Sequence, residues 1–139
     1  MAVNPYNRYQ EQAVSTMSSG DVLIKLFDKA VGQLQAAAIG IEQKDMDQAQ
    51  PCMDRAQEIV RYLRQTLNMS IPISQQLDSL YVYFDQQIMM ASIKRDVTLL
   101  QEVAGMLSEL RDSFEQADRN TRHQGGVASL GEQGLSGSC

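Results

Sequence analysis

Apolar residues recur at steps of three and four along most of this chain. The first such stripe follows Val22 and contains Leu23, Leu26, Phe27, Ala30, Leu34, Ala37, Ala38 and Ile41. This spacing puts the stripe on one face of a helix. Ser18 can accept from the free amides of the first turn, and Asp21 stands three residues later, as in a capping box. The pattern predicts a first helix from about Ser19 to Gln43.

A second stripe follows the polar junction at residues 44–47. It contains Ala49, Met53, Ala56, Val60, Leu63 and Leu67. Proline is tolerated in a helix mainly within the first turn, where its missing amide has no partner. We therefore expect the second helix to begin with Pro51 in its first turn and to end near Asn68.

Two more stripes complete the pattern. Pro72 cannot continue the second helix, and Ser74 is a candidate N-cap for the third. The third stripe contains Leu77, Leu80, Tyr81, Phe84, Ile88 and Ala91. Asp96 is a candidate cap for a fourth helix, which fades near Arg122. The fourth stripe contains Leu99, Leu100, Val103, Leu107, Leu110, Phe114 and Ala117.

Four helices of similar length with short links predict one architecture. Short links force neighbouring helices to run antiparallel, and stripes of this kind pack at shallow angles. We expect an all-α fold, an antiparallel up-and-down four-helix bundle over residues 18–122. Residues 1–17 are expected to form an N-terminal arm, and residues 123–139, rich in glycine and serine, a flexible tail.

Composition narrows the classes of function. The 139 residues are 43% hydrophobic and carry a formal net charge of -5. This charge would repel a phosphate backbone, so nucleic acid is not expected as a partner. No apolar run approaches the roughly 20 residues that span a bilayer, and no secretory signal is present. We expect a cytoplasmic protein without membrane insertion.

No constellation of reactive residues indicates catalysis. The single histidine, His123, stands at the end of the last helical pattern, and Cys52 lies at the border of an apolar stripe, where cysteine usually packs. The separation of Cys52 and Cys139 fits neither a disulfide framework nor a metal site. We expect no enzyme activity, no metal and no cofactor.

The chain has apolar residues beyond those that the four stripes require. They are Val82, Tyr83, Met89, Met90 and Ile93 in the third helix, Cys52, Ile59 and Tyr62 in the second, and Met106 in the fourth. They indicate a wider core, a groove that accepts a partner's amphipathic segment, or a second stripe for a homodimer. As candidates for a groove we take Ile59, Tyr62, Tyr83, Met90 and Met106.

Short motifs in a fixed order resemble the FliS family of flagellar export chaperones. They are Tyr6-x-x-Tyr9-Gln10, Thr16-Met17-Ser18, Leu26-Phe27-Asp28, Arg55-Ala56-Gln57-Glu58-Ile59, Leu80-Tyr81 and Glu109-Leu110-Arg111-Asp112. The resemblance covers about residues 4–117. It departs at Met17 and Ser19, where the family commonly has alanine and proline, and at Phe27 and Phe114, where it often has tyrosine and tryptophan.

The resemblance implies a function as well as a fold. Such proteins bind the disordered C-terminal segment of flagellin in the cytosol, prevent its premature polymerisation and deliver it to the export gate. In similar proteins the N-terminal arm can cover the client groove, so Tyr6 and Tyr9 are candidates for a displaceable lid; an arm docked permanently on the bundle is the alternative. Rival functions are a homodimeric adaptor and an enzyme or phosphotransfer domain.

Overall fold

The computed structural model describes residues 19–123 of the chain. They form four helices, α1 (Ser19–Glu42), α2 (Met46–Gln65), α3 (Pro72–Lys94) and α4 (Val97–His123). Each helix packs against the next in the chain, and α4 returns against α1. Within the described residues there is no strand. The predicted antiparallel four-helix bundle is confirmed, and the predicted arm lies outside the described residues, as does the predicted tail beyond His123.

The junction between α1 and α2 explains why the second helix begins earlier than expected. The Asp45 side chain accepts from the backbone N–H of Gln48 at 3.2 Å and caps α2. With this cap, α2 begins at Met46 and Pro51 lies beyond its first turn, so the prediction for Pro51 is wrong. The Pro51 ring is tolerated on an exposed face. At the other end, α2 stops at Gln65 rather than near Asn68.

The helix starts at α3 and α4 follow different signals. The structure contradicts the prediction that Ser74 caps α3, because Ser74 is buried inside the helix, which begins at Pro72 after an extended Ile71. Proline at the first position needs no amide partner, so this start requires no side-chain cap. Asp96 does accept from the backbone N–H of Thr98 at 2.9 Å, as predicted.

The start of α1 at Ser19 agrees with the predicted position, and Asp21 lies in its first turn. Ser18, the candidate cap, lies outside the described residues, so its role stays a prediction.

All four helices contribute large side chains to one core. The largest fully buried ones are Phe27, Leu34, Met53, Val60, Leu63, Tyr81, Phe84, Ile88, Leu100, Val103 and Leu107. Phe27 stacks on Phe114 with 5.4 Å between the ring centroids, which joins α1 to α4. Cys52 is buried against this core, as its position at the border of the apolar stripe predicted. The predicted stripes therefore fill the interior without Tyr62, Tyr83 or Met90.

Polar contacts tie α2 to α3 along one side of the bundle. Arg61 contacts Asp85 at 3.2 Å, and Arg64 contacts Asp78 at 2.6 Å. Gln57 also donates to the Asp85 carboxylate at 3.0 Å. These contacts show which flank of each helix faces its neighbour, and hence where the remaining apolar side chains lie.

Candidate functional site

The five predicted groove residues differ in exposure. Tyr62 is 51% exposed, Met90 40% and Tyr83 37%. Ile59 and Met106 are partly buried and pack against the core. Three of the five thus present large apolar surface outside the core, and the other two lie at the edge of the core.

Ile59 and Tyr62 belong to the flank of α2 that faces α1. Gln57 and Arg61 contact α3, so they mark the opposite flank of α2. At about 100° per residue, Ile59 and Tyr62 project away from that flank. We call this surface, defined by Ile59 and Tyr62, the α1–α2 flank.

Tyr83, Met90 and Met106 lie where α3 meets α4. Asp85 contacts α2, so the same helical geometry places Tyr83 and Met90 on the flank of α3 toward α4. Gly105 lines a cavity between α4 and α1, so Met106 falls on the opposite flank of α4, toward α3. We call this surface the α3–α4 flank.

Within the α3–α4 flank, the Tyr83 ring packs against Phe84 with centroids 6.2 Å apart, and its hydroxyl accepts from Gln87 at 3.4 Å. Three of the predicted residues thus lie on this flank, and the other two lie on the α1–α2 flank.

A groove between α1 and α4 was not predicted. It encloses about 410 Å³ and is lined by Leu34, Gln35, Ala38, Ile39, Glu42, Leu100, Gln101, Ala104, Gly105 and Ser108. Ile39 is 54% exposed at its edge, and a side chain at Gly105 would point into open space. The sequence signal for this α1–α4 groove is a run of small residues, Ala36 to Ala38 and Ala104-Gly105, beside an isoleucine outside the stripe.

The side between α2 and α3 is polar by contrast. A small cleft of about 140 Å³ is lined by Val60, Arg61, Arg64, Tyr81, Val82, Asp85 and Gln86. Its arginines are paired with carboxylates, and the hydrogen bond to Asp78 raises the pKa of Arg64. Burial raises the pKa of Tyr81, whose phenol therefore stays neutral. This side offers charge pairs rather than an apolar surface.

The remaining expectations concern metal binding, membrane insertion and the two ends of the chain. Among residues 19–123, no group of three histidine, cysteine, aspartate or glutamate side chains is placed to hold a metal ion. No helix in the same part of the chain is long and apolar enough to cross a membrane. Tyr6, Tyr9 and Cys139 lie outside the described residues.

Comparison with known proteins identifies the group to which this chain is related. A family model described as "Flagellar protein FliS" matches residues 2–121. The chain belongs to the FliS family. A protein named "Flagellar secretion chaperone FliS" from Bacillus subtilis (strain 168) is 34% identical over 129 residues, 90% of this chain and 97% of the relative. A second protein of that name, from Salmonella typhimurium, is 28% identical over 109 residues, 76% of this chain and 81% of the relative.

The FliS match confirms the family inferred from the sequence motifs. It extends from residue 2 to residue 121, so it includes both flanks, the α1–α4 groove, and Tyr6 and Tyr9. The chain is therefore a member of a family of flagellar secretion chaperones.

Proposed function

We propose that this FliS chain binds the disordered C-terminal segment of flagellin in the cytoplasm, keeps it from polymerising and delivers it to the flagellar export gate. It needs no cofactor and catalyses no reaction. The observation that carries the proposal is the exposure of Tyr62, Tyr83 and Met90 outside a core that is already filled. Large apolar side chains left on a surface are typical of a site that a partner covers.

The two flanks favour a client that surrounds the bundle. In the order of packing α1, α2, α3 and α4, the α1–α2 flank and the α3–α4 flank are on opposite sides. A rigid compact partner would reach one of them, whereas a disordered segment can follow both. Such a segment can bury roughly 1,000 to 3,000 Å² of surface when it binds. Ordering the segment costs several kcal/mol of the binding free energy, so the complex can still dissociate.

The client's route between the flanks follows the α1–α4 groove. The alternative route crosses the α2–α3 side, where Arg61 and Asp85 form an ion pair. An apolar segment would have to desolvate that pair, which costs free energy without replacing its contacts. The α1–α4 groove offers Ile39 and the open surface above Gly105 instead. We therefore place the centre of the client site between α1 and α4.

The N-terminal arm acts in this proposal as a lid that the client displaces. Tyr9 precedes the start of α1 by roughly ten residues, which span at most about 33 Å when extended. Helix α1, with 24 residues, is about 36 Å long. The tether is therefore long enough for Tyr6 and Tyr9 to reach the α1–α4 groove. Deleting residues 1–10 should tighten binding of the flagellin segment, and unchanged or weaker binding would contradict a competitive lid.

Calorimetry with a peptide from the flagellin C-terminus tests the function. The double variant Tyr62→Ala/Tyr83→Ala should weaken binding at least tenfold, because it removes one exposed ring from each flank. Met69→Ala is the matched control, since Met69 is 48% exposed in the turn between α2 and α3 and on neither flank. No binding by the unchanged chain would overturn the proposed function. Binding that survives the double variant, with circular dichroism unchanged, would overturn the assigned flanks.

A substitution in the α1–α4 groove tests the route separately. Gly105→Leu would place a side chain in the groove without disturbing the core, because the position is exposed and open. Gln116→Leu, on an exposed position of α4 outside the groove, is the control. The Gly105 variant should lose affinity while the Gln116 variant keeps it, and equal affinities would exclude the groove from the route.

A further inference from the structure

A buried carboxylate of α4 lies against the first turn of α1. Asp118 is 5% exposed, and among residues 20–120 it is the one charged side chain that is buried. Its carboxylate approaches Gly20 so closely that a Cβ at this position would collide with it. Glycine lets the backbone of α1 come this near, because any other residue would occupy the space of the Asp118 side chain.

This contact lies at the outer end of the packing between α1 and α4. Deeper in the bundle, Phe27 of α1 stacks on Phe114 of α4. Because the two helices run antiparallel, the start of α1 lies beside the end of α4. Gly20 and Asp118 therefore meet close to residue 18, the position at which the N-terminal arm joins α1.

A carboxylate stabilises the start of a helix for two reasons. The first amides of a helix have no acceptor within it, and the helix dipole gives this end a partial positive charge. Because Asp118 is buried, solvent screens its attraction less than that of an exposed carboxylate. Removing the charge of Asp118 should therefore loosen the first turn of α1 more than the middle of the helix.

We propose that Asp118 is a positioning residue for the lid, because its contact with Gly20 holds the point where the N-terminal arm joins the bundle beside α4. The α1–α4 groove lies between the same two helices. An arm that leaves α1 on the α4 side therefore starts on the side of the bundle where the groove lies. This role rests on the proposed function, in which the arm covers the groove until the client displaces it.

The position of the joining point controls how well the arm competes with the client. Loosening the first turn of α1 adds about four residues to the tether of Tyr6 and Tyr9 and frees the tether from α4. The effective concentration of a tethered group falls when its tether becomes longer than the span requires. The arm then covers the groove less of the time, and the client binds more tightly.

Calorimetry of four full-length chains with a flagellin C-terminal peptide tests this role. They are the unchanged chain, Asp118→Asn, Tyr6→Ala/Tyr9→Ala, and the combination of all three substitutions. Asp118→Asn should tighten peptide binding at least threefold in the unchanged background and have no effect where both tyrosines are absent. A residue that only stabilised the bundle would change the affinity equally in both backgrounds.

Asp112→Asn is the matched control for the lost charge. Asp112 lies on the same helix and its side chain is 73% exposed. This variant should bind the peptide like the unchanged chain in both backgrounds.

Gly20→Ala tests the contact from the side of α1. Alanine favours a helix more than glycine does, so it would tighten the first turn if the contact had no role. Since its Cβ would displace the Asp118 carboxylate, we expect it to loosen the turn and to tighten peptide binding as Asp118→Asn does. Gly32→Ala, with open space around it, is the matched control for helix propensity.

Hydrogen exchange of residues 19–26 without peptide measures the loosening directly. Exchange should be at least threefold faster in Asp118→Asn and in Gly20→Ala than in the unchanged chain, and unchanged in Asp112→Asn. Circular dichroism shows whether each variant is folded. If Asp118→Asn does not fold, Gly20→Ala carries the test.

The outcomes separate this role from the function on which it rests. If Asp118→Asn leaves the affinity unchanged, or tightens binding equally in both backgrounds, the role of Asp118 is overturned. Tighter binding by Tyr6→Ala/Tyr9→Ala would then still support the lid. If no chain binds the peptide, the proposed function is overturned and the role of Asp118 with it. Unchanged exchange at the start of α1 in both variants would overturn the role whatever the affinities are.

Discussion

Arg111 donates from Nε to the Asp28 carboxylate at 2.9 Å, which joins α4 to α1 across 83 positions of the chain. Arg111 also contacts Glu115 on its own helix at 2.9 Å, and the hydrogen bond to Asp28 raises the pKa of the guanidinium. On α1, Asp28 follows directly after Phe27, whose ring stacks on Phe114 of α4. A polar contact and an apolar contact therefore join the same two helices.

The Asp28 contact should contribute modestly to stability. The Asp28 side chain is 53% exposed and the Arg111 side chain 27%, so solvent screens the attraction between them and the pair contributes little to stability. We expect Asp28→Asn to lower the free energy of unfolding only slightly, measured by urea denaturation. Arg111→Ala should cost more, because it also removes the contact with Glu115. In a double-mutant cycle, equal losses of unfolding free energy for Asp28→Asn and Arg111→Ala would contradict this order.

The stacked aromatic pair should matter more than the ion pair. Phe27 is fully buried, whereas Phe114 is partly exposed. Truncating a buried phenylalanine to alanine costs about 3–5 kcal/mol from lost burial and the cavity that remains. We expect Phe27→Ala to reach that range in urea denaturation and Phe114→Ala to fall below it. Equal losses of unfolding free energy for the two variants would show that the partial exposure of Phe114 does not reduce its contribution to stability.

Two helical glycines should respond oppositely to alanine. A Cβ at Gly40 would collide with Gln48 and lie 2.9 Å from the Cβ of Ala49, where α1 meets α2. Gly40→Ala should therefore destabilise the bundle by about 1–3 kcal/mol through overpacking. Gly32 has open space around it, so Gly32→Ala should stabilise by roughly 0.5–1 kcal/mol through helix propensity. Thermal melts of the two variants measure both effects. A change of the melting temperature in the same direction for both variants would contradict the close packing at Gly40.

The stripes predicted the helices because burial and periodicity act together. Phe27, Phe84 and Leu107 stand where steps of three and four place them, and each is fully buried. Helix starts were harder to predict, since Asp45 competes with Pro51 as a start signal and Pro72 with Ser74. In both cases the signal that comes first along the chain determined the start.

The candidate site was only partly predictable for a related reason. A helical wheel shows that Tyr62 and Tyr83 lie off their stripes, but it does not show which neighbour each flank faces. That depends on contacts between helices, such as Arg61 with Asp85. The α1–α4 groove was not predicted because it depends on small residues, Ala38, Ala104 and Gly105, which leave space open between the two helices.

Tyr81 should make the fold sensitive to alkaline pH. The side chain is 2% exposed, and burial raises its pKa above the usual value of about 10. The unfolded chain then loses the phenolic proton at a lower pH than the folded chain does. The stabilising contribution is complete below about pH 10 and is lost as pH rises through the folded-state pKa, at up to about 1.4 kcal/mol per pH unit.

Tyr81→Phe tests this dependence, because it keeps the ring and removes the titrating group. Urea denaturation at about pH 9, 10 and 11 should show a shallower loss of unfolding free energy for this variant than for the unchanged chain. Tyr62→Phe, which removes a phenol from an exposed ring, is the matched control. Equal alkaline slopes for the Tyr81 variant and the unchanged chain would mean that the buried phenol does not couple folding to pH.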